Sequence, residues 1–164
     1  MSETEGLYQF TLESEDATAA LATKLADIAA PGDVICLIGD LGAGKTVFAR
    51  AFIAARGGDG EVPSPTFTLV QLYEFAKGDV YHFDLYRLED AEEIFELGIE
   101  DAMNEGISLI EWPDRLGAYL PFERLDVILS IGDEQQMREV DLIGRGESWP
   151  DRLEKALPGE VSGG

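Results

Sequence analysis

Five apolar residues in a row, Val34-Ile35-Cys36-Leu37-Ile38, run straight into Gly39-Asp40-Leu41-Gly42-Ala43-Gly44-Lys45-Thr46. The run shows no alternation, which suits a central parallel strand covered on both faces rather than a strand with one wet side. Beyond the glycines, Val47 to Ala55 carries apolar residues at helical spacing and stops at Gly57-Gly58. A buried strand, a glycine-rich turn and a helix in that order demand a sheet with helices on its faces.

The same turn fits the pattern G-x-x-x-x-G-K-[ST], in its required place between strand and helix. Gly39, Gly42 and Gly44 let the backbone curl so that its N–H groups face inward, toward phosphate oxygens. Lys45 is placed to reach the β- and γ-phosphates, and the Thr46 hydroxyl to ligate Mg²⁺. The starting helix adds its positive end. The sequence therefore predicts a bound nucleoside triphosphate across Gly39 to Thr46.

The flanking segments give the layout. Tyr8 to Leu12 alternates like a half-buried strand, Ser14 is placed to cap a helix over Ala17 to Ala30, and Pro31-Gly32 ends it. Gly57 to Pro65 reads as an irregular loop. Thr68 to Phe75 and Val80 to Asp84 read as strands joined by the turn Lys77-Gly78-Asp79. An amphipathic helix containing Ile94, Phe95 and Leu97 is expected to close at Gly98, and Ile107 to Ile110 to form a buried strand ending at Glu111. Arg124 to Ser130 and Gln136 to Ile143 look like a hairpin around Gly132-Asp133-Glu134, with a short helix after Ser148. The expected fold class is α/β, a P-loop NTPase-like three-layer sandwich with a mixed, mostly parallel central sheet. Residues 1–157 read as a single domain and 158–164 as a frayed tail.

Charge narrows the partners. The chain of 164 residues has 33 acidic against 12 basic side chains, a formal net charge of −21. Such a surface repels nucleic acid and anionic membranes, and no Lys/Arg run offsets it. The acidity serves solubility or docking onto basic protein partners. The start Met1-Ser2-Glu3-Thr4-Glu5 is acidic and lacks an apolar segment, and no stretch is long enough to span a bilayer, so the cytoplasm is expected. Cys36, the single cysteine, reads as a buried, inert thiol.

A phosphate loop needs carboxylates for metal and water. Two strands end in one, at Asp84 and at Glu111, and ligands in open α/β sheets sit beyond the carboxyl ends of strands. Asp84 follows four mostly apolar residues as a Walker B aspartate does. No Glu follows it directly, which makes Glu111 the candidate second acid. Each could equally be a solvated acid or a cap at a strand end. Thr66, in Ser64-Pro65-Thr66-Phe67-Thr68, is either a switch-like hydroxyl or part of an ordinary turn. Trp112 reads as a base-stacking or partner residue, or as a rim aromatic, and His82 as a packed strand residue.

Taken together, GDLGAGKT, SPTFTLV (64–70), HFDLYRL (82–88) and IEW (110–112) closely resemble the bacterial TsaE family. The motifs fall in family order across Gly39 to Trp112, under half the chain. The resemblance implies a P-loop ATPase, weakly active alone, that serves the synthesis of threonylcarbamoyladenosine in tRNA together with TsaB and TsaD. Such a protein touches tRNA only indirectly and does not transfer the threonylcarbamoyl group. It further implies Lys45 and Thr46 as phosphate and metal residues, and Thr66 as the switch hydroxyl. Asp84 becomes the Walker B acid, Glu111 a metal ligand and Trp112 a residue needed for activity. The turn near Ser14 then borders the adenine. The segment MREVDLIGRG (137–146) is more acidic than the family's corresponding hairpin.

A small-molecule kinase is the alternative from another class. Kinases clamp phosphates with several arginines and a lid, whereas the eight arginines here are scattered. A GTP-dependent switch would carry an N/T-K-x-D loop, and none of the four lysines lies in one. ATP with Mg²⁺ is the expected cofactor pair.

Overall fold

The apolar run forms β2 (Val34–Ile38), the middle strand of a seven-stranded sheet. This computed structural model describes residues 7–40, 42–57, 69–76, 78–132 and 137–157. The remaining strands are β1 (Leu7–Leu12), β3 (Val70–Tyr73), β4 (Val80–Asp84), β5 (Ile107–Glu111), β6 (Arg124–Ile131) and β7 (Arg138–Arg145). Their order is β1-β7-β6-β2-β5-β4-β3. The central neighbours β6–β2–β5–β4 pair in parallel, while β3–β4, β6–β7 and β1–β7 are antiparallel. Only β3 and β7 oppose the other described strands, so the sheet is mixed and mostly parallel.

Strand periodicity sends alternate side chains to opposite faces. Ile35 and Leu37 join one apolar cluster with Leu25 of α1 (Glu15–Ile28) and Phe48 and Phe52 of α2 (Lys45–Arg56). Val34 and Cys36 join a second cluster with Phe83, Ile94 and Ile110 on the far face. Two cores separated by one sheet make the three-layer sandwich expected of this pattern. Because β2 is buried on both sides, its run never needed to alternate.

Local chemistry sets the element ends. Ser14 accepts a hydrogen bond from the Ala17 N–H at 3.2 Å, and Glu15 and Asp16 fill the first turn of α1. Acids there complement the helix dipole, so the helix begins before its apolar repeat does. The amphipathic segment around Ile94 is a 3₁₀ helix, Ala91–Leu97, opened by a reciprocal cap between Asp90 and Glu93. Gly98 closes it with φ 82° and at once begins α3 (Ile99–Glu105), which the sequence reading did not anticipate. The hairpin is present as β6 and β7, and α4 (Trp149–Ala156) follows Ser148. Arg152 stacks on Trp149 and pairs with Asp33 at 2.5 Å, tying α4 to the loop before β2. No described helix is long and apolar enough to cross a membrane. The expected loop over 58–65, Lys77, and the turn residues Asp133 and Glu134 lie outside the described residues.

Candidate functional site: a phosphate-loop cleft

A cavity of about 510 Å³ opens beyond the carboxyl ends of β2, β4 and β5. Asp84 and Glu111 stand directly opposite each other in the β4–β5 ladder, and Leu37 stands opposite Glu111 on its other side. Their strand mates Val80, Ile107 and Leu109 lie in the core beneath α1 and α2. Alternation therefore turns both carboxylates toward α2 and the loop that precedes it. Lys45, Thr46, Asp84, Glu111 and Trp112 all line the cavity, with Gly42 and Gly44.

The loop is shaped by close approach. Gly39 has φ 155°, and a Cβ there would lie 2.5 Å from the Leu129 carbonyl oxygen. Gly44 takes φ 104° immediately before α2, a backbone state costly for any other residue. Among the described residues no side chain caps α2, so the N–H groups of its first turn remain open to an anion. Lys45 is buried, and its Nζ donates to the Gly39 carbonyl at 2.6 Å while lying 3.9 Å from the centre of the Trp112 ring. A buried ammonium, an uncapped helix start and an adjacent hydroxyl fit a polyphosphate and the divalent cation that accompanies it.

Charge in the cleft is balanced between burial and attraction. Burial pushes the Lys45 ammonium below its ordinary pKa, against the opposing pull of Glu111, Asp84, Asp40 and Asp114. Burial pushes the Asp84 carboxyl up, partly offset by the Tyr86 N–H that donates to its Oδ1 at 3.2 Å. Glu111 is buried, and its Oε2 lies 2.7 Å from His82 Nε2.

Other expected site residues are placed differently. Ser14 spends its hydroxyl on capping α1, while its neighbours Glu15 and Thr18 line the cavity. Ala43 points into the core, and Asp40 is exposed at the loop's edge. Leu41 and Thr66 lie outside the described residues. Sequence reasoning missed Tyr86, Arg87 and Arg138, which also line the cavity. Arg138 comes from β7, and its Nη2 donates to the Gly42 carbonyl at 3.1 Å. The backbone of Trp112, which no sequence motif discloses, is the one described non-glycine position at positive φ (60°). That turn presents its ring both to Lys45 and to Tyr86, the ring centres of Trp112 and Tyr86 lying 4.9 Å apart.

The family model described as "Threonylcarbamoyl adenosine biosynthesis protein TsaE" matches residues 12–140. The chain belongs to the TsaE family. The TsaE match takes in the phosphate loop, both carboxylates, Trp112 and Arg138. Among curated relatives, the TsaE protein of Rickettsia felis is 43% identical over 76% of this chain and 74% of its own length. That of Bacillus subtilis is 39% identical over 80% of this chain and 82% of its own. The crystal structure of YdiB from Bacillus subtilis superposes with a TM-score of 0.75 at 29% identity, covering 92% of this chain and 93% of that one. The TsaE family and the α/β architecture thus rest on separate comparisons of sequence and of shape.

Proposed function

We propose that this TsaE-family chain binds and hydrolyses Mg²⁺-ATP as an accessory subunit in the biosynthesis of threonylcarbamoyladenosine in tRNA. The observation that carries the reading is the pairing of Asp84 with Glu111 in the ladder, facing Lys45 and Thr46 across one cleft. Lys45 and the open N–H groups of α2 would hold the phosphates, with Thr46, Asp84 and Glu111 as the oxygen donors for the metal. Mg²⁺, when bound, supplies neutralisation of charge on the transferring phosphoryl group. Thr66 belongs to the proposal as the switch-like hydroxyl, and Trp112 and the turn after Ser14 as borders of the nucleotide. The single sheet supports treating residues 1–157 as one functional unit.

The partners proposed are TsaB- and TsaD-like subunits, in the cytoplasm, with tRNA reached only through them. A net charge of −21 supports protein contacts over direct RNA binding. Family membership does not favour the kinase alternative. The test is to mix the chain with a TsaB–TsaD pair and follow ATP hydrolysis and co-elution. Stimulated turnover with a co-eluting complex is expected. Unchanged turnover with separate elution would end the partner assignment.

A further inference from the structure

His82 is the sole histidine in the chain and is only 2% exposed. Its Nε2 lies 2.7 Å from Glu111 Oε2, reaching diagonally from its place opposite Leu109 in the ladder. Its Nδ1 is buried and has no hydrogen-bond partner among the described residues. A proton on Nδ1 would be a buried donor without an acceptor, whereas a proton on Nε2 meets a carboxylate oxygen. Hydrogen bonding therefore assigns the Nε2–H tautomer. Among the described residues, the one side-chain contact this ring makes through a nitrogen is thus spent on an acid that lines the cleft. With Oε2 held by His82, rotation of the carboxylate is restrained in a residue that lines the cavity.

We propose that His82 is a positioning residue: its Nε2–H fixes the Glu111 carboxylate in the orientation that nucleotide hydrolysis requires. The inference rests on Glu111 acting in hydrolysis, as read above. His82 touches neither nucleotide nor water itself. It works as the partners behind metal ligands do, by removing rotational freedom from the group in front.

Because there is one histidine, a long-range ¹⁵N–¹H spectrum of the labelled protein gives a single imidazole pattern. A proton on Nε2 is expected, and a pattern with the proton on Nδ1 overturns the proposal. In the second arm, H82Q and H82F are compared for kcat, for the Mg²⁺ concentration giving half-maximal rate, and for nucleotide affinity. The glutamine amide can donate from near the Nε2 position; phenylalanine cannot. H82F is expected to lose about 10- to 100-fold in kcat and to need more Mg²⁺, with nucleotide affinity kept and H82Q recovering most of the rate. Wild-type kcat in H82F, or equal losses in both variants, overturns the proposal. Glu111→Ala, measured alongside, separates the two readings. An impaired E111A beside an unimpaired H82F defeats positioning alone, and a fully active E111A defeats the role of Glu111 on which it depends. Should H82F not fold, the tautomer and H82Q still decide: loss of rate in a folded H82Q, or the Nδ1–H form, counts against.

Discussion

The Lys45 ammonium lies 3.9 Å from the centre of the Trp112 ring while donating to the Gly39 carbonyl. Phosphate bound at the start of α2, as proposed, would compete for that ammonium, and its departure would change the field on the indole face. Titration with Mg²⁺-ATP should therefore change tryptophan fluorescence saturably. Trp149, buried at the start of α4, supplies a constant background. Trp112→Phe should remove the change, and a change that survives in W112F would show that another site reports.

Lys45→Ala removes the one buried cation that described residues place at the phosphate end of the cleft. A charge-assisted hydrogen bond of this kind supports about a 10- to 100-fold weakening of ATP binding, measured by calorimetry. Unchanged affinity would remove the phosphate-loop assignment.

Asp84 carries a pH signature. Its carboxyl is raised by burial, so the folded state binds that proton more tightly than the unfolded chain does. The sign follows: its contribution to stability is full below the ordinary carboxylate pKa and is lost as pH rises through the raised folded value. Asp84→Asn escapes that loss. In metal-free buffer its thermal midpoint should match wild type near pH 3 and exceed it increasingly above about pH 4. Hydrolysis by D84N should nevertheless fall at every pH. A midpoint gap that is the same at pH 3 and pH 8 would contradict burial as the cause.

Gly39→Ala places a methyl 2.5 Å from a backbone oxygen that cannot swing aside. Overpacking of this kind costs about 1–3 kcal/mol, so G39A should unfold at lower denaturant and lose nucleotide binding together. A stable G39A with normal affinity would show that the loop can retreat from Leu129.

Much of this was legible because it was written locally. The run Val34–Ile38, the glycines after it, and strands ending in Asp84 and Glu111 are short-range signals, and β2, β4 and β5 fall where they point. What escaped depends on register between distant segments. Whether His82 meets Glu111 turns on a diagonal across the β4–β5 ladder, which neither strand states alone. Arg138 reaches Gly42 only because β7 folds back beside β6. Gly98 looked like a stop and is also a start, because one left-handed glycine can end a 3₁₀ turn and open α3.

The edge strand β1 has a kinetic consequence. Its partner is β7, and Gln9 and Asp141, hydrogen-bonded across that ladder, are separated by 132 positions. Closing so long a loop is slow, and during synthesis the partner does not exist until the hairpin has left the ribosome. Leu7–Leu12 is therefore made early and seated late, a half-apolar strand with no ladder to join while the phosphate loop and central strands emerge. Docking of this strand should therefore wait for the β6–β7 hairpin, although the strand is made well before it.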